Sequence, residues 1–220
     1  MTTIGGLDDA GRGPVIGPMV LAGVCIPEEA IPEIKAVGAK DSKGLTPKKR
    51  EEIYAIITKK YKYHFIIITP QEIDEAVLSK TTNLNNLEAQ KFAMIINKLQ
   101  PDKVIIDCPS TNIKAYTAYV KRFLKQDTKL KCEHKADVNH AVVGAASIIA
   151  KVIRDREIKA IQEEIGEDIG SGYPADERTK EFIKNKWKTY PHIFRKSWAT
   201  YQKLANNEKQ KTLGSFECKQ

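Results

Sequence analysis

Thr3-Ile4-Gly5-Gly6-Leu7-Asp8-Asp9-Ala10-Gly11-Arg12-Gly13-Pro14 decides how the rest of the chain is read. Its apolar-leaning start runs into two carboxylates, and then into glycines and a proline that punctuate strongly. This predicts a first strand ending in a tight turn. Val15 to Ile26 is apolar and β-branched, broken only by Gly and Pro residues, and reads as the hairpin partner of that strand. Asp8 and Asp9 thus fall at a strand end, where ligand sites of α/β sheets gather.

Working outward, Thr46-Pro47 is a helix start, with Thr as N-cap and Pro at the first helical position, followed by Ile53, Tyr54, Ile56 and Ile57. Tyr63 to Thr69 reads as a third strand. Asn85 to Leu99 reads as a helix with Ala89, Phe92, Ala93, Ile96 and Leu99 on one face. Val104-Ile105-Ile106 is too short for a helix and predicts a buried central strand, with Asp107 at its C-terminal end. Lys129 to His134 is a fifth strand candidate, and Val142, Ala145, Ala146, Ile149, Val152 and Ile153 recur at helical spacing. After the break Gly170-Ser171-Gly172-Tyr173-Pro174, Asp176 caps a basic helix through Trp187, and shorter helical pieces follow to about Asn206. A β-meander followed by alternating helices and strands implies an α/β fold, a mixed central sheet flanked by helices with a helical C-terminal extension. The expected organisation is a main domain over residues 1–175, a basic helical part over 176–206 packed on it, and a flexible tail over 207–220. No internal repeats or low-complexity segments occur.

Across 220 residues, 41% hydrophobic and 29% charged residues describe a globular chain with no apolar run near the ~18 residues that cross a bilayer. Without a basic-then-apolar leader, the expected location is cytoplasmic, with no membrane partner, and the expected state a monomer. Cys25, Cys108, Cys132 and Cys218 are scattered singly, which excludes paired zinc spacing and a disulfide scaffold. Residues 180–220 hold ten Lys or Arg against Glu181, Glu208 and Glu217, so +7 of the formal +8 lies in the last 41 residues. That asymmetry suits a polyanionic partner touched by the C-terminal part, or else a solvated basic tail; charge alone leaves both open.

Asp8, Asp9, Asp107 and Asp137 each sit at a strand end or just before a helix, flanked by apolar or glycine-rich sequence. Clustered carboxylates repel unless cations neutralise them, and an oxygen-only set suits Mg²⁺ or Mn²⁺ rather than zinc. Two such ions about 4 Å apart would activate a water and stabilise the leaving oxygen of a phosphodiester cleavage. Taken singly, each Asp also reads as a helix cap or turn residue.

Gly6 to Pro18 resembles the opening signature of ribonuclease HII, in which an Asp-Glu pair precedes Ala-Gly-Arg-Gly. Lys40-Asp41-Ser42-Lys43, Ile106-Asp107, Glu133-His134-Lys135-Ala136-Asp137, Ala145-Ala146-Ser147-Ile148-Ile149-Ala150-Lys151 and Gly170 to Pro174 also resemble that family, in its order, over residues 4 to 200. The archaeal and eukaryotic branch is more similar than the bacterial one. The resemblance implies a ribonuclease H-like fold with Asp8, Asp9, Asp107 and Asp137 as catalytic ligands of two Mg²⁺ or Mn²⁺ ions. It further implies that Gly11, Arg12 and Gly13 contact the ribonucleotide's 2′-hydroxyl through backbone and phosphate interactions, that Tyr173 packs at the ribose, and that Lys43 binds a phosphate. A glycine turn suits a 2′-hydroxyl reader, because that group alone marks a ribonucleotide within a duplex. The implied substrates are RNA/DNA hybrids and DNA duplexes containing ribonucleotides, cut to leave 5′-phosphate and 3′-hydroxyl ends. Tyr173 as a loop aromatic over the core, Gly11-Arg12-Gly13 as an ordinary turn, and Lys43 as a solvated lysine are the rival readings.

Two departures stand out. Asp9 occupies the position where the family has Glu, shorter by one carbon-carbon bond of about 1.5 Å; adjacent residues of a strand point to opposite faces, so reach matters there. Val138-Asn139-His140-Ala141 stands where a Tyr-Pro pair is usual, and Gly144 replaces a small hydroxyl residue. His140 is a candidate for proton transfer or a helix-start histidine packed near the core. The competing functions are a DNA-only two-metal nuclease, which needs no 2′-hydroxyl reader, and an activity-reduced or non-catalytic hybrid-binding protein, suggested by Asp9. Finally, Gln210, Leu213 and Phe216 are spaced as in a peptide that resembles a sliding-clamp binding motif, with Glu217 where a second aromatic is common.

Overall fold

The computed structural model describes residues 1–39 and 44–217, with side chains as far as residue 208. β1 (Thr3–Ala10), β2 (Met19–Pro27) and β3 (Lys62–Ile68) form an antiparallel meander. β4 (Lys103–Asp107) and β5 (Lys129–Glu133) join the other side of β1 in parallel, giving a five-stranded mixed sheet in the order β3-β2-β1-β4-β5. The helices are α1 (Ile31–Ala36), α2 (Pro47–Lys60), α3 (Pro70–Leu78), α4 (Leu84–Leu99), α5 (Ile113–Lys121), α6 (Ala136–Asn139), α7 (Ala141–Ile165), α8 (Glu177–Lys186) and α9 (Ala199–Glu217).

Both faces of the sheet are covered, which is why β2 reads as an almost unbroken apolar run. Its Val20, Ala22, Val24 and Ile26 pack with α1, α2 and α7, whereas Met19, Leu21 and Cys25 pack with α3, α4 and α5. The first ten residues of α7, Ala141 to Ala150, are all buried; a helix apolar on every side belongs inside a core. A third cluster joins Val15 and Ile16 to Ile158, Ile169, Phe182, Ile183, Ile193 and Phe194. That cluster seats the C-terminal part on the loop after β1.

Asp74 of α3 accepts hydrogen bonds from the Lys196 and Ser197 backbone N–H groups at 2.8 and 2.9 Å and from the Ser197 hydroxyl at 2.5 Å. This latch fastens the chain between α8 and α9. Among the described residues no helix is long and apolar enough to cross a membrane.

The α/β architecture and the meander follow the sequence expectation; the long helix forms too, but its first ten residues are buried on every side where the helical spacing implied one buried face. The sheet's middle strand, however, is β1; β4 is interior and buried but lies one place toward the edge. The backbone of α9 continues through residue 217, past the end expected near Asn206. The side chains of Gln210, Leu213 and Phe216 lie outside the described residues, as does Lys43.

Candidate active site at the open end of β1 and β4

The site exists because two neighbouring strands part. β1 pairs with β4 only from Ile4 to Leu7, while β4 stays paired with β5 as far as Asp107. Beyond Leu7 the parallel ladder stops, and the notch it leaves receives Asp8, Asp9 and Asp107. These three line a cavity of about 400 Å³ together with Ala10, Gly11, Arg12, Gly13, Arg50, Ser147, Lys151 and Tyr173.

β1 remains regular through this stretch, with Asp8 opposite Ala22 and Asp9 opposite Leu21. Alternation therefore sends the two side chains to opposite faces. Ala10, on the face of Asp8, joins the α7 side of the core; Leu7, on the face of Asp9, joins the α4 side. Both carboxylates reach one cavity because it wraps the strand end, and no bend in the strand is needed.

Asp8 is buried, and its carboxyl is pushed well above the usual carboxylate range, first by burial and then by the negative charge of Asp9, with Asp107 adding to it. Ser147 of α7 and the Asp9 N–H, 2.8 Å from Asp8 Oδ1, donate to the carboxylate and partly offset the rise. Asp107 Oδ1 accepts from the Ala136 N–H at 2.9 Å, which pins the start of α6 and places buried Asp137 one residue further on. Asp137 is not among the residues lining the cavity. Among the described residues no group of three or more His, Cys, Asp or Glu side chains is placed to hold a metal ion as it stands; Asp8, Asp9 and Asp107 share the cavity as an open array. Opposite them, Lys151 and Arg50 bring positive charge, both held by Asp155, with Lys151 Nζ 2.6 Å and Arg50 Nη2 3.3 Å from its oxygens.

The remaining wall is the loop after β1. Gly11 has φ +82°, and a Cβ there would stand 2.0 Å from Arg154 Nε, so glycine is required on both counts. Tyr173, 39% exposed, lies beside Gly13: a Cβ on that glycine would be 3.6 Å from the tyrosine ring. Arg154 stands 5.7 Å from the ring centroid of Tyr173, a cation–π contact. The two loops are stitched together where the Val15 N–H donates to the Gly172 carbonyl at 2.9 Å. The Arg12 side chain turns to α4, where Nη1 pairs with buried Glu88 and Nη2 donates to Asn85 Oδ1 at 2.8 Å.

Of the residues singled out in the sequence, Asp8, Asp9, Asp107, Gly11, Arg12, Gly13 and Tyr173 thus meet in one cavity. His140 does not: its Nε2 lies 2.7 Å from Glu133 Oε1, and it lines a separate apolar pocket with Ile4, Ile105 and Val142. Arg50, Ser147 and Lys151 were not singled out as site residues. Ser147 and Lys151 are four apart in α7 and so share a helix face, a spacing visible in the sequence; Arg50 carried no signal, being one basic residue among several.

Residues 5–201 match the family Ribonuclease HII. A ribonuclease HII of Methanocella arvoryzae is 44% identical over 219 residues, covering 98% of this chain and 97% of its own. Among solved structures, the ribonuclease H2 of Pyrococcus horikoshii superposes with a TM-score of 0.85 at 40% identity, covering 94% of this chain and 98% of that one. The ribonuclease HII of Archaeoglobus fulgidus, solved in complex with PCNA, superposes with a TM-score of 0.81 at 35% identity over 89% of this chain and 95% of that one. With this similarity spanning nearly the whole of both chains, and with the carboxylates and the glycine turn gathered at one strand end, the chain belongs to the ribonuclease HII family, as an endoribonuclease that cuts the RNA strand of RNA/DNA hybrids.

Proposed function

We propose that this one cavity serves both long RNA/DNA hybrids and single ribonucleotides embedded in duplex DNA, incising 5′ of the ribonucleotide and leaving 5′-phosphate and 3′-hydroxyl ends. The observation that carries the reading is the convergence of Asp8, Asp9 and Asp107 with the Gly11-Arg12-Gly13 turn and Tyr173 around one space. Carboxylates would act on the phosphodiester while the turn and the tyrosine address the sugar beside it.

The donor set fits a hard divalent cation. Three carboxylates crowd one notch, and burial and mutual repulsion hold Asp8 high, a strain that positive charge relieves. Mg²⁺ keeps several waters and takes one or two carboxylates plus phosphate oxygens, so an open array suits it better than a closed cage. Asp8, Asp9 and Asp107 would hold two ions, Mg²⁺ or Mn²⁺, and Asp137, buried outside the cavity lining, is proposed as a fourth ligand from its motif alone. Bound there, such a pair supplies Lewis acidity for phosphoester hydrolysis. The chain's own groups do the rest. Lys151 and Arg50 attract the phosphate, Ser147 and the Asp9 N–H orient Asp8, and Asp107 holds α6 in place through Ala136. The backbone of residues 11–13 faces the 2′-hydroxyl, and Tyr173 packs against the ribose. Lys43 is proposed as a phosphate contact from its motif.

The test is metal-dependent cleavage of a duplex with one embedded ribonucleotide against an all-DNA control. Cleavage 5′ of the ribonucleotide alone is expected. Equal cleavage of both duplexes identifies a DNA nuclease, and binding without cleavage a hybrid-binding protein; either result overturns the reading.

Asp9→Glu is expected to raise the rate in Mg²⁺, because the side chain starts on the face opposite Asp8 and gains about 1.5 Å of reach. Mn²⁺, more tolerant of geometry, should narrow the gap between the two proteins. A slower Asp9→Glu in both metals shows a site adapted to Asp.

We also propose that Gln210, Leu213 and Phe216 dock on a sliding clamp, supported by the PCNA complex of the Archaeoglobus fulgidus relative. By calorimetry, Leu213→Ala/Phe216→Ala should bind the cognate clamp at least about tenfold more weakly than the parent, the loss expected of two hot-spot side chains. Equal affinities rule the peptide out.

A further inference from the structure

Six carbonyls of the loop between β1 and β2 accept hydrogen bonds from outside it, five of them from Arg195 and Trp198 near the far end of the chain. The Val15, Ile16 and Gly17 N–H groups donate to the Gly172 and Ile193 carbonyls. Arg195, fully buried, donates from Nη2 to the Gly11 carbonyl at 2.6 Å, from Nη1 to the Arg12 carbonyl at 2.9 Å and from Nε to the Gly17 carbonyl at 3.0 Å. Trp198 Nε1 donates to the Gly13 carbonyl at 3.0 Å, and the Arg195 guanidinium lies 5.0 Å from the centre of its ring. The Arg195 N–H donates to the Val15 carbonyl at 2.9 Å, and Arg154 Nη2 to the Ile16 carbonyl at 3.2 Å. Burial, with Arg154 nearby, pulls the Arg195 guanidinium down to about 9, still protonated at neutral pH and so a donor at every nitrogen.

Three consecutive carbonyls, those of Gly11, Arg12 and Gly13, are therefore drawn to one side of the loop. A trans peptide is planar, with its N–H antiparallel to its C=O. The N–H of Arg12 must point opposite to the Gly11 carbonyl, and the N–H of Gly13 opposite to that of Arg12. Residues 11–13 line the active-site cavity and Arg195 and Trp198 do not, so the donors stand behind the loop and the two N–H groups face forward. Successive N–H groups on one side of a turn make a concavity that binds an electron-rich oxygen.

We infer that Arg195 and Trp198 are positioning residues for ribonucleotide selectivity: from behind, they turn the Arg12 and Gly13 N–H groups toward the 2′-hydroxyl and its neighbouring phosphate. The inference rests on the reading of this turn as the 2′-hydroxyl reader. Asp74 extends the same device, because its bonds to Lys196 and Ser197 fix the segment between the two donors. The selectivity of the site is thus set by a short stretch beyond α8, far in sequence from the carboxylates.

The test compares affinities for a duplex with one ribonucleotide and the identical all-DNA duplex, by fluorescence anisotropy in Mg²⁺. All proteins carry Asp8→Asn, so that the duplex is not consumed. Trp198→Phe keeps the ring against Arg195 and removes only the N–H; Arg195→Lys keeps the charge and loses the fork. The preference for the ribonucleotide duplex should fall about fivefold in Trp198→Phe, the scale of one hydrogen bond, and further in Arg195→Lys. Thermal unfolding of Trp198→Phe should stay near that of its parent. A merely structural role weakens binding to both duplexes equally and leaves their ratio unchanged, which would falsify the inference. If the parent itself shows no preference, the reading of the turn fails instead. Should Arg195→Lys not fold, Trp198→Phe decides alone.

Discussion

Asp8→Asn loses cleavage in Mg²⁺ by about 10³-fold, the equivalent of about 4 kcal/mol of transition-state stabilisation, while still binding hybrid within about threefold of the parent. Asp107→Asn behaves alike. Each change removes a negative charge from the notch without altering the basic surface, and an Asn oxygen can still accept from the Asp9 N–H or from the Ala136 N–H. Asp8→Asn carries a second, opposite effect. Burial and Asp9 raise the native Asp8 carboxyl above its unfolded value, so ionised Asp8 costs the fold stability. Without divalent cations at neutral pH, the Asn variant should therefore melt higher than the parent, by about 2–4 °C for each kcal/mol relieved. As pH falls through the raised native value towards the unfolded value near about 4, Asp8 becomes neutral in both states and the difference closes. Added Mg²⁺ should stabilise the parent more than the variant, since only the parent keeps the full donor set. Calorimetric melts in chelator and in Mg²⁺, beside single-turnover cleavage, read all three effects. Near-full activity in either variant removes that carboxylate from the mechanism. A lower melting temperature for Asp8→Asn in chelator shows that the notch does not strain the fold.

The carboxylates were legible because strand ends carry strong local signals. Val104 to Ile106 is too apolar and too short to be anything but a buried strand, and Asp107 at its end follows at once. β1 was legible as a strand but not as the middle of the sheet, because its glycines and charges carry none of the β-branched signal of an interior position. Thr69-Pro70-Gln71-Glu72 does hold a capping-box signature, and the structure forms it, yet the β-branched run before it drew Thr69 into the strand and left α3 unread. Ties between residues distant in sequence left no trace at all. Nothing near Arg195 announces three carbonyls at the other end of the chain, and nothing near Asp74 announces Ser197. Motif resemblance located the glycine turn, but the donors behind it belong to tertiary packing.

Gly144→Ser should lower the melting temperature by about 6–12 °C, the consequence of about 3 kcal/mol of overpacking. The sequence marks Gly144 as a departure, since a small hydroxyl residue is usual there, and local pattern offers no reason for it. The reason is the backbone of Ala39. A Cβ on Gly144 would lie 1.9 Å from the Ala39 carbonyl oxygen and 3.1 Å from that of Asp137. No rotamer relieves this, because the clash is with Cβ itself and with main-chain atoms. Nor can α7 retreat easily: Gly144 lies in its fully buried half, packed on β1 and β2. Gly144→Ala should therefore destabilise as much as Gly144→Ser, whereas a useful hydroxyl would make Ser the milder of the two. Because the second contact is with Asp137, the least costly adjustment pushes α6 as well, and cleavage should fall in both variants by more than the unfolded fraction explains. Rates measured well below the melting transition separate the two effects. A Gly144→Ser protein with the parent's melting temperature and rate would mean that the chain at Ala39 gives way freely, and that the glycine answers to nothing in the packing of α7.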